Sequence, residues 1–223
     1  MRQLIKRLLY GSGAGPRKVW FGMGAGARFQ MDPAHHTQRM LGLYEAEIAG
    51  DFRRCVKRAR TLIDVGASDG YFSIIALRLN AQLTAIACEA HEPFEEQARQ
   101  NYLLNFPDDG PPLEWLPKAV GSGAGQVTLD AIAKEWPGPF LVKIDVDGGE
   151  IDVLQSAPTL LARHDCTLIL EVHSPELETG VIDLLQSQHY ACRIIKNAWW
   201  RCLIPEQRPI ELNRWVFAEK VAK

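Results

Sequence analysis

The feature that most constrains the fold is a regular alternation of strand-length apolar runs and helix-length runs from Thr61 onward. The strand-length runs are apolar almost throughout, rather than at every second residue. Strands of this kind are buried on both faces, which is typical of a parallel sheet covered by helices. We therefore predict an α/β fold with a mostly parallel sheet and helices on both faces.

The same alternation gives an order of elements. Strands are predicted in TLIDVG, LTAIACE, LEWLPKAV, FLVKIDV, CTLILEVH, YACRIIK and RWVFAEK. Helices are predicted in DGYFSIIALRLN, EPFEEQARQNYLLN, LDAIAKEW, GEIDVLQSAPTLLAR and PELETGVIDLLQSQ. Pro158 should break or kink the fourth helix, because proline cannot continue a helix interior. Pro117 places the third strand at a sheet edge or at a strand end.

Length and composition bound the domain organisation. The 223 residues, 47% hydrophobic and 23% charged, suffice for one sizeable core. We predict a helical or irregular cap segment over residues 1–60 and one domain over residues 61–223. We expect no transmembrane segment and, because Lys6 and Arg7 interrupt the first apolar block, no signal peptide. Five scattered cysteines, without zinc-ligand spacing, favour a reducing cytoplasm.

Charge is unevenly distributed along the chain. Residues 1–60 contain 12 Lys/Arg and 4 Asp/Glu, a balance of +8, and the remainder has −10. Such a segment could face an anionic partner, namely nucleic acid, lipid headgroups or a phosphorylated substrate. The simpler interpretation is a solvated surface helix, since the apolar residues of DFRRCVKRAR recur at helical spacing: Phe52, Cys55, Val56 and Ala59.

Four glycine-rich stretches compete for the role of ligand loop. Three of them, which begin at Gly11, Gly22 and Gly121, do not join a clear strand to a clear helix, so we interpret them as turns or linkers. Only Gly66 and Gly70 lie between an apolar strand and a helix. Ligands of open α/β sheets bind at the carboxyl ends of the strands, which selects this loop.

Carboxylates around this loop indicate the type of ligand. The next strand ends in Glu89, whose carboxylate could accept hydrogen bonds from both ribose hydroxyls. Asp64 opens the loop, and its charge would repel a pyrophosphate but attract a cation. S-adenosylmethionine has a sulfonium, an ammonium group and a ribose, and no phosphate. The alternative for Asp64 is a cap of the following helix.

Three longer segments carry a family resemblance: TLIDVGASDGYFSIIAL, ACEAHEPFEEQARQNYLLN and LVKIDVDGGEIDVLQSAPTLLARHDCTLILEVH. Together they resemble the FkbM-type S-adenosylmethionine-dependent methyltransferases, over roughly Gly42 to Lys196. The resemblance implies the seven-stranded class I methyltransferase fold and methyl transfer to a hydroxyl of a sugar or natural-product scaffold. The family usually has Glu where this chain has Asp147, and the span before FLVKIDV is short.

The resemblance also implies a set of cofactor contacts. It places the loop residues against the methionine part of S-adenosylmethionine and Glu89 at the ribose. The full predicted set is Asp64, Gly66, Ala67, Ser68, Gly70, Tyr71, Phe72, Glu89, Ala90 and Asp145.

Methyl transfer to a hydroxyl also needs a base beyond the strand ends. The predicted catalytic residues are Asp145, Glu171 and His173. His173 has the pKa best suited to a base, unless it is structural, and Asp145 is either the base or an orienting group. Glu150 is a further candidate base or, like Asp147, part of a capped helix start.

Several alternatives stay open. Asp145, Asp147 and Glu171 could bind a metal, but we expect none to be required; activity lost with EDTA and restored by magnesium would contradict this. Trp199 and Trp200 could line an acceptor pocket or simply pack. Rival functions are a non-catalytic binding module of this fold, a nicotinamide-dependent oxidoreductase and a nucleic-acid methyltransferase. The last is disfavoured, because the sequence has no motif of the kind that base-flipping methyltransferases use. We expect a small-molecule acceptor, no nucleic acid, and allow a homo-oligomer.

Overall fold

The computed structural model describes residues 13–163, 165–198, 201 and 213–221. Its strands are β1 Gly15–Lys18, β2 Arg28–Met31, β3 Thr61–Val65, β4 Thr84–Cys88, β5 Leu113–Leu116, β6 Phe140–Ile144, β7 Cys166–Val172, β8 Tyr190–Ile195 and β9 Arg214–Lys220. All seven strands predicted from the sequence form, six of them within two residues of the expected ends, whereas β5 stops at Leu116, four residues before the expected end and directly before Pro117.

These seven strands make one sheet in the order β5-β4-β3-β6-β7-β9-β8. The pairs from β5 to β7 are all parallel, whereas β9 runs antiparallel to both of its neighbours. The predicted α/β fold with a mostly parallel sheet is therefore confirmed. The strand that precedes Pro117 lies at the sheet edge, where a residue that cannot donate a backbone hydrogen bond is tolerated.

The helices cover both faces of the sheet. They are α1 Thr37–Leu41, a 3₁₀ helix Ala46–Ile48, α2 Ala49–Arg58, α3 Tyr71–Leu79, α4 Pro93–Asn105, α5 Leu129–Lys134, α6 Glu150–Gln155, α7 Pro158–Ala162 and α8 Pro175–Ser187. The expected break at Pro158 separates α6 from α7, and this proline occupies the first turn of α7. Among the described residues, none of the helices has the length and apolarity needed to cross a membrane.

The apolar strands are buried from both sides, as their composition predicts. Leu62 and Leu141 join one buried cluster with the residues before β3 and with α3. Ile63 and Val142, one position along in each strand, join a second cluster with α5 to α8. Alternate residues of a strand point to opposite faces, so a sheet between two apolar layers needs apolar residues at both.

The segment before β3 differs from the predicted helical or irregular cap. It contains an antiparallel hairpin of β1 and β2, and the glycine stretch at Gly22 is the turn region between them. Phe29 of β2 is fully buried and shares a cluster with Phe52 of α2 and Trp215 of β9. The apolar residues of α2 are buried, as its spacing predicts. A boundary at residue 60 between two units stays a prediction.

At Gly66, the first residue after β3, the backbone lies very close to Asp145, the first residue after β6. Its φ is +76°, and a Cβ at this position would lie 1.8 Å from the backbone oxygen of Asp145. The Asp145 amide donates a hydrogen bond to the Val65 carbonyl oxygen at 3.0 Å, which holds the two strand ends together. The glycine is required here for backbone packing between strands, independently of any ligand.

We expect Gly66→Ala to lower the free energy of unfolding by about 3 kcal/mol or more, because strain at positive φ adds to a steric overlap with backbone. Gly125→Ala is the matched control, since Gly125 has φ +80° but no atom within 4 Å of a Cβ. The control should lose only about 1 kcal/mol. Urea unfolding measures both variants, and equal losses would contradict the steric argument.

Candidate active site

A cleft of about 640 Å³ opens at the carboxyl edge of the sheet. Four neighbouring strands each contribute a lining residue at their carboxyl end. Gly66, Glu89 and Asp145 directly follow β3, β4 and β6, and Glu171 is the second-last residue of β7. The connections after β3 and β6 lead to opposite faces of the sheet, so this is the topological switch point where α/β folds bind ligands.

The cleft is acidic. Among the described residues that line it, six carry carboxyl groups and two are lysine or arginine, namely Arg39 and Lys118. Such a lining attracts a cationic ligand and opposes a diphosphate. The carboxyl groups belong to Glu45, Glu89, Asp145, Asp147, Asp152 and Glu171.

Glu89 is held in a fixed orientation at one end of the cleft. Its Oε2 accepts a hydrogen bond from the Ser68 amide at 2.9 Å, and its Oε1 accepts one from the His91 amide at 2.8 Å. Each carboxylate oxygen retains acceptor capacity for a ligand hydroxyl. Ala90, His91 and Phe94 continue the wall beside it, with the two aromatic rings 5.3 Å apart. This end combines a hydrogen-bond acceptor with a flat apolar surface.

Asp64 lies beneath the loop and not in the cleft. Its side chain is fully buried, accepts a hydrogen bond from Ser73 Oγ at 2.8 Å, and lies 3.5 Å from Lys143 Nζ. Burial raises the pKa of Asp64, an effect that Lys143 opposes. The sequence predicts direct contact between Asp64 and a cofactor, but the Asp64 side chain points into the core and does not line the cleft. The acidity of the cleft comes from other residues.

Lys143 is a central residue that sequence reasoning missed. Its ammonium, 2% exposed, lies 3.3 Å from Asp145 Oδ2 and 3.3 Å from the Gly66 carbonyl oxygen. Burial alone would lower its pKa, but the carboxylates of Asp145 and Asp64 outweigh that effect and raise it. Lys143 therefore stays charged and pairs with both. A lysine within an otherwise apolar strand was the available signal.

Four other predicted cofactor contacts support the loop from behind. Ala67, Gly70, Tyr71 and Phe72 do not line the cleft, although Gly66 and Ser68 do. Tyr71 and Phe72 are buried at the start of α3, and the ring of Tyr71 lies 5.0 Å from that of Phe29. The side chains of Tyr71 and Phe72 point into the core because they belong to the first turn of α3, which is buried.

The three predicted catalytic residues come together at the other end of the cleft. His173 Nε2 lies 3.7 Å from Glu171 Oε2 and 3.8 Å from Asp145 Oδ1. Asp147, in the loop after β6, brings Oδ1 to 3.4 Å from the same nitrogen. Asp145, Asp147 and Glu171 line the cleft, whereas the described cleft lining does not include His173.

Glu150 fixes the histidine. The His173 Nδ1 atom lies 2.8 Å from Glu150 Oε1, which also accepts a hydrogen bond from the Gly148 amide at 3.1 Å. Glu150 is fully buried in the first turn of α6. Its side chain thus joins the helix start, as one interpretation predicted, and orients the imidazole at the same time. The hydrogen bond to Glu150 is the main cause that raises the pKa of His173.

Asp145 and Glu171 differ in protonation although they are neighbours. Burial and the nearby charge of Asp145 raise the pKa of Glu171 to about 11, so this group is protonated at neutral pH. Burial would raise the pKa of Asp145 too, but Lys143 and a hydrogen bond from Glu171 outweigh it and lower that pKa. The pair therefore offers one carboxylate and one neutral acid.

The segment before β3 supplies the opposite wall, which the sequence did not reveal. The Arg39 guanidinium pairs with Asp69 and lies 4.6 Å from the ring centre of Tyr44. Glu45 accepts a hydrogen bond from Trp215 Nε1 at 2.7 Å. No local motif links these residues to the strand ends, so only the fold brings them together. The predicted acceptor residues Trp199 and Trp200 lie outside the described residues.

The sheet order and the antiparallel β9 define the class I methyltransferase fold. One similar solved structure is the precorrin-6Y C5,15-methyltransferase from Geobacter metallireducens GS-15, with TM-score 0.53, 14% identity, and coverage of 78% of this chain and 89% of that chain. Another is the ribosomal protein L11 methylase from Lactobacillus delbrueckii subsp. bulgaricus, with TM-score 0.53, 14% identity, and coverage of 79% and 77%.

A third similar structure is SMU.1697c from Streptococcus mutans in complex with SAH, with TM-score 0.52, 12% identity, and coverage of 78% of this chain and 97% of that chain. The family model "Methyltransferase FkbM domain" matches residues 124–192 of this chain. This match confirms the resemblance seen in the sequence, over the part that runs from the loop before α5 to β8. A search of curated proteins found no significant match.

We expect Lys143→Met to lower the free energy of unfolding by about 3–5 kcal/mol, because it leaves the fully buried carboxyl group of Asp64 and the partly buried one of Asp145 without their counterion. Arg163→Met is the control, since it breaks an exposed ion pair with Asp165 in which the arginine side chain is 46% exposed. The control should stay within about 1 kcal/mol of the wild type. Thermal and urea unfolding measure the difference, and two equal losses would refute the role of Lys143.

Proposed function

We propose that this protein is an S-adenosylmethionine-dependent methyltransferase that methylates a hydroxyl oxygen of a small molecule, of the sugar or natural-product type. The observation that carries the proposal is the acidic lining of the cleft, where six carboxyl groups, of which Glu171 is protonated, face two lysine or arginine residues among the described residues. A sulfonium cofactor suits this lining, and a dinucleotide does not. The methyltransferase fold and the FkbM domain match support the same class.

The residues present fit the cofactor. Glu89 would hold the ribose hydroxyls, because its carboxylate is fixed by two backbone amides and still faces the cleft. Phe94 and His91 offer flat surfaces for the adenine ring. When bound, S-adenosylmethionine would supply an electrophilic methyl group, whose carbon would bond to the acceptor oxygen as its bond to sulfur breaks.

The proton of the acceptor hydroxyl goes to Asp145 in this proposal. Asp145 is the anionic member of the pair with Glu171, and Lys143 binds its Oδ2 atom at 3.3 Å. His173, oriented by Glu150, is a positioning residue that stabilises this carboxylate from 3.8 Å. Of the candidate bases Asp145 and His173, this assignment selects Asp145, since Asp145 lines the cleft and the described cleft lining does not include His173.

The acidic lining also supports the choice of acceptor. Nucleic acids carry a phosphate charge at every nucleotide and are bound through lysine and arginine. A lining rich in carboxyl groups opposes such a polyanion, whereas neutral polyhydroxylated molecules can donate hydrogen bonds to it. The cleft volume of about 640 Å³ lies within the range of small-ligand pockets. A small neutral acceptor therefore suits the site better than RNA or DNA.

Glu89→Ala should weaken S-adenosylmethionine binding by about tenfold or more, on the order of 1.4 kcal/mol, because it removes charge-assisted hydrogen bonds to the ribose. The control is Glu92→Ala, since Glu92 is exposed at the start of α4 and does not line the cleft. Isothermal titration calorimetry measures both variants. Unchanged affinity in Glu89→Ala would contradict the proposed ribose contact. A protein that binds NADH and does not bind S-adenosylmethionine would contradict the whole proposal.

Asp145→Asn should lower the turnover number by about 100-fold, the scale of a lost proton acceptor. Asp183→Asn, an exposed change on α8, should leave it unaltered. The assay follows transfer of a labelled methyl group to a panel of sugars, hydroxylated natural products and RNA, with mass spectrometry to locate the methylated atom. Cofactor binding without transfer to any acceptor would favour a non-catalytic binding module, and methylated RNA would overturn the small-molecule proposal.

A further inference from the structure

We propose that Asp145, Glu171 and His173 form a binding site for a divalent transition-metal ion, with Mn²⁺ as the ion of closest chemistry. Each residue offers one ligand atom, and these atoms lie within 4.8 Å of one another. Two oxygens and one nitrogen from the adjacent strands β6 and β7 and the residues just beyond them thus converge on one point. This inference departs from the expectation, drawn from the sequence, that no metal is required.

The histidine is arranged as a metal ligand is. Its Nδ1 atom is engaged by the buried Glu150 at 2.8 Å, which leaves Nε2 directed at the two carboxyl groups. A carboxylate that holds the far nitrogen of a ligating histidine is the usual outer partner in metal sites. Nε2 is buried and forms no hydrogen bond within the described part of the chain. A buried nitrogen that has the carboxyl oxygens of Asp147, Glu171 and Asp145 at 3.4–3.8 Å but makes no hydrogen bond is unusual unless something else binds it.

Glu171 provides a second, independent sign. The residue is 5% exposed, and its Oε1 atom has no hydrogen-bond partner among the residues that the structure describes. Its other oxygen, Oε2, lies 3.7 Å from His173 Nε2. Buried carboxyl oxygens are normally satisfied by donors or by a cation. An unsatisfied oxygen and an unsatisfied nitrogen in neighbouring side chains are expected of a ligand set.

One carboxyl oxygen of Asp145 is oriented toward the proposed metal site. Lys143 lies 3.3 Å from Oδ2, whereas Oδ1 is the atom that faces His173. Around the cluster, four carboxyl groups meet one ammonium and one imidazole, and a divalent cation that displaces the proton of Glu171 would improve the charge balance. These carboxyl groups belong to Asp145, Asp147, Glu150 and Glu171.

The donor set decides the class of metal. Carboxylate oxygens suit Mg²⁺, Ca²⁺ and Mn²⁺, but an imidazole nitrogen favours a transition metal over the first two. Asp145 and Glu171 both line the cleft, so a metal held by three protein atoms would have open positions toward it. A hydroxyl of the acceptor would occupy such a position, a role in turnover that rests on the proposed function. Metal binding itself does not depend on that function.

The test is Mn²⁺ binding by the full chain after removal of metals with a chelator, without cofactor or acceptor. Electron paramagnetic resonance of free Mn²⁺ gives the dissociation constant. We expect one site, and at least about tenfold weaker binding in Glu171→Gln and in His173→Gln. The matched control is Glu114→Gln, the same change at an exposed position of β5, which should bind as the wild type does. Circular dichroism checks that each variant is folded, and Glu171→Gln preserves side-chain shape.

Three outcomes would overturn the proposal. They are no binding of Mn²⁺ or Zn²⁺ at millimolar concentration, unchanged binding in both ligand variants, and an affinity for Mg²⁺ equal to that for Mn²⁺. Because the titration uses neither cofactor nor acceptor, its result is separate from that of the methyl-transfer assay. A protein that binds Mn²⁺ but transfers no methyl group would retain the metal site and lose the proposed function.

Discussion

The architecture of the site depends on one buried interaction, the ammonium of Lys143 between the carboxyl groups of Asp64 and Asp145. This interaction joins β3 to β6 at the point where the two strands end, and the Lys143 ammonium also contacts the Gly66 carbonyl oxygen. The fully buried Asp64 and the partly buried Asp145 could not both be carboxylates so close to each other without a counterion. The floor of the cleft and the direction of Asp145 are therefore set by the same contact that holds the sheet edge together.

Most of the sheet could be predicted from the sequence, because its strands are buried on both faces and are therefore apolar at consecutive positions. The hairpin of β1 and β2 could not. Each of these strands has only four residues, and Pro16 and the neighbouring glycines obscure the pattern. Phe29 is buried there with its ring 5.0 Å from that of Tyr71 in α3, which is distant in the chain. Short strands of this kind are decided by tertiary contacts and not by local preference.

The site was predictable to the extent that parallel strands bring their carboxyl ends to one edge. That rule gathers Asp145, Glu171 and Glu89. It does not say which way a side chain points, and in β3 every residue is buried, so polarity could not distinguish a cleft-facing Asp64 from a core-facing one. The rule is also silent on Arg39 and Tyr44, because these approach the cleft from a segment outside the sheet.

The division of the cleft between two parts of the chain has an evolutionary consequence. The strand ends supply the groups suited to a cofactor, whereas residues 35–45 supply the facing wall. Among the contacts that hold this wall are those of Glu45 with Trp215 of β9 and of Arg39 with Asp69 in the loop after β3. Because this stretch lies outside the sheet, substitutions at its cleft-lining residues can change the shape of the facing wall without changing the strand ends. Under the proposed function, the choice of acceptor could then diverge while the cofactor site stays the same.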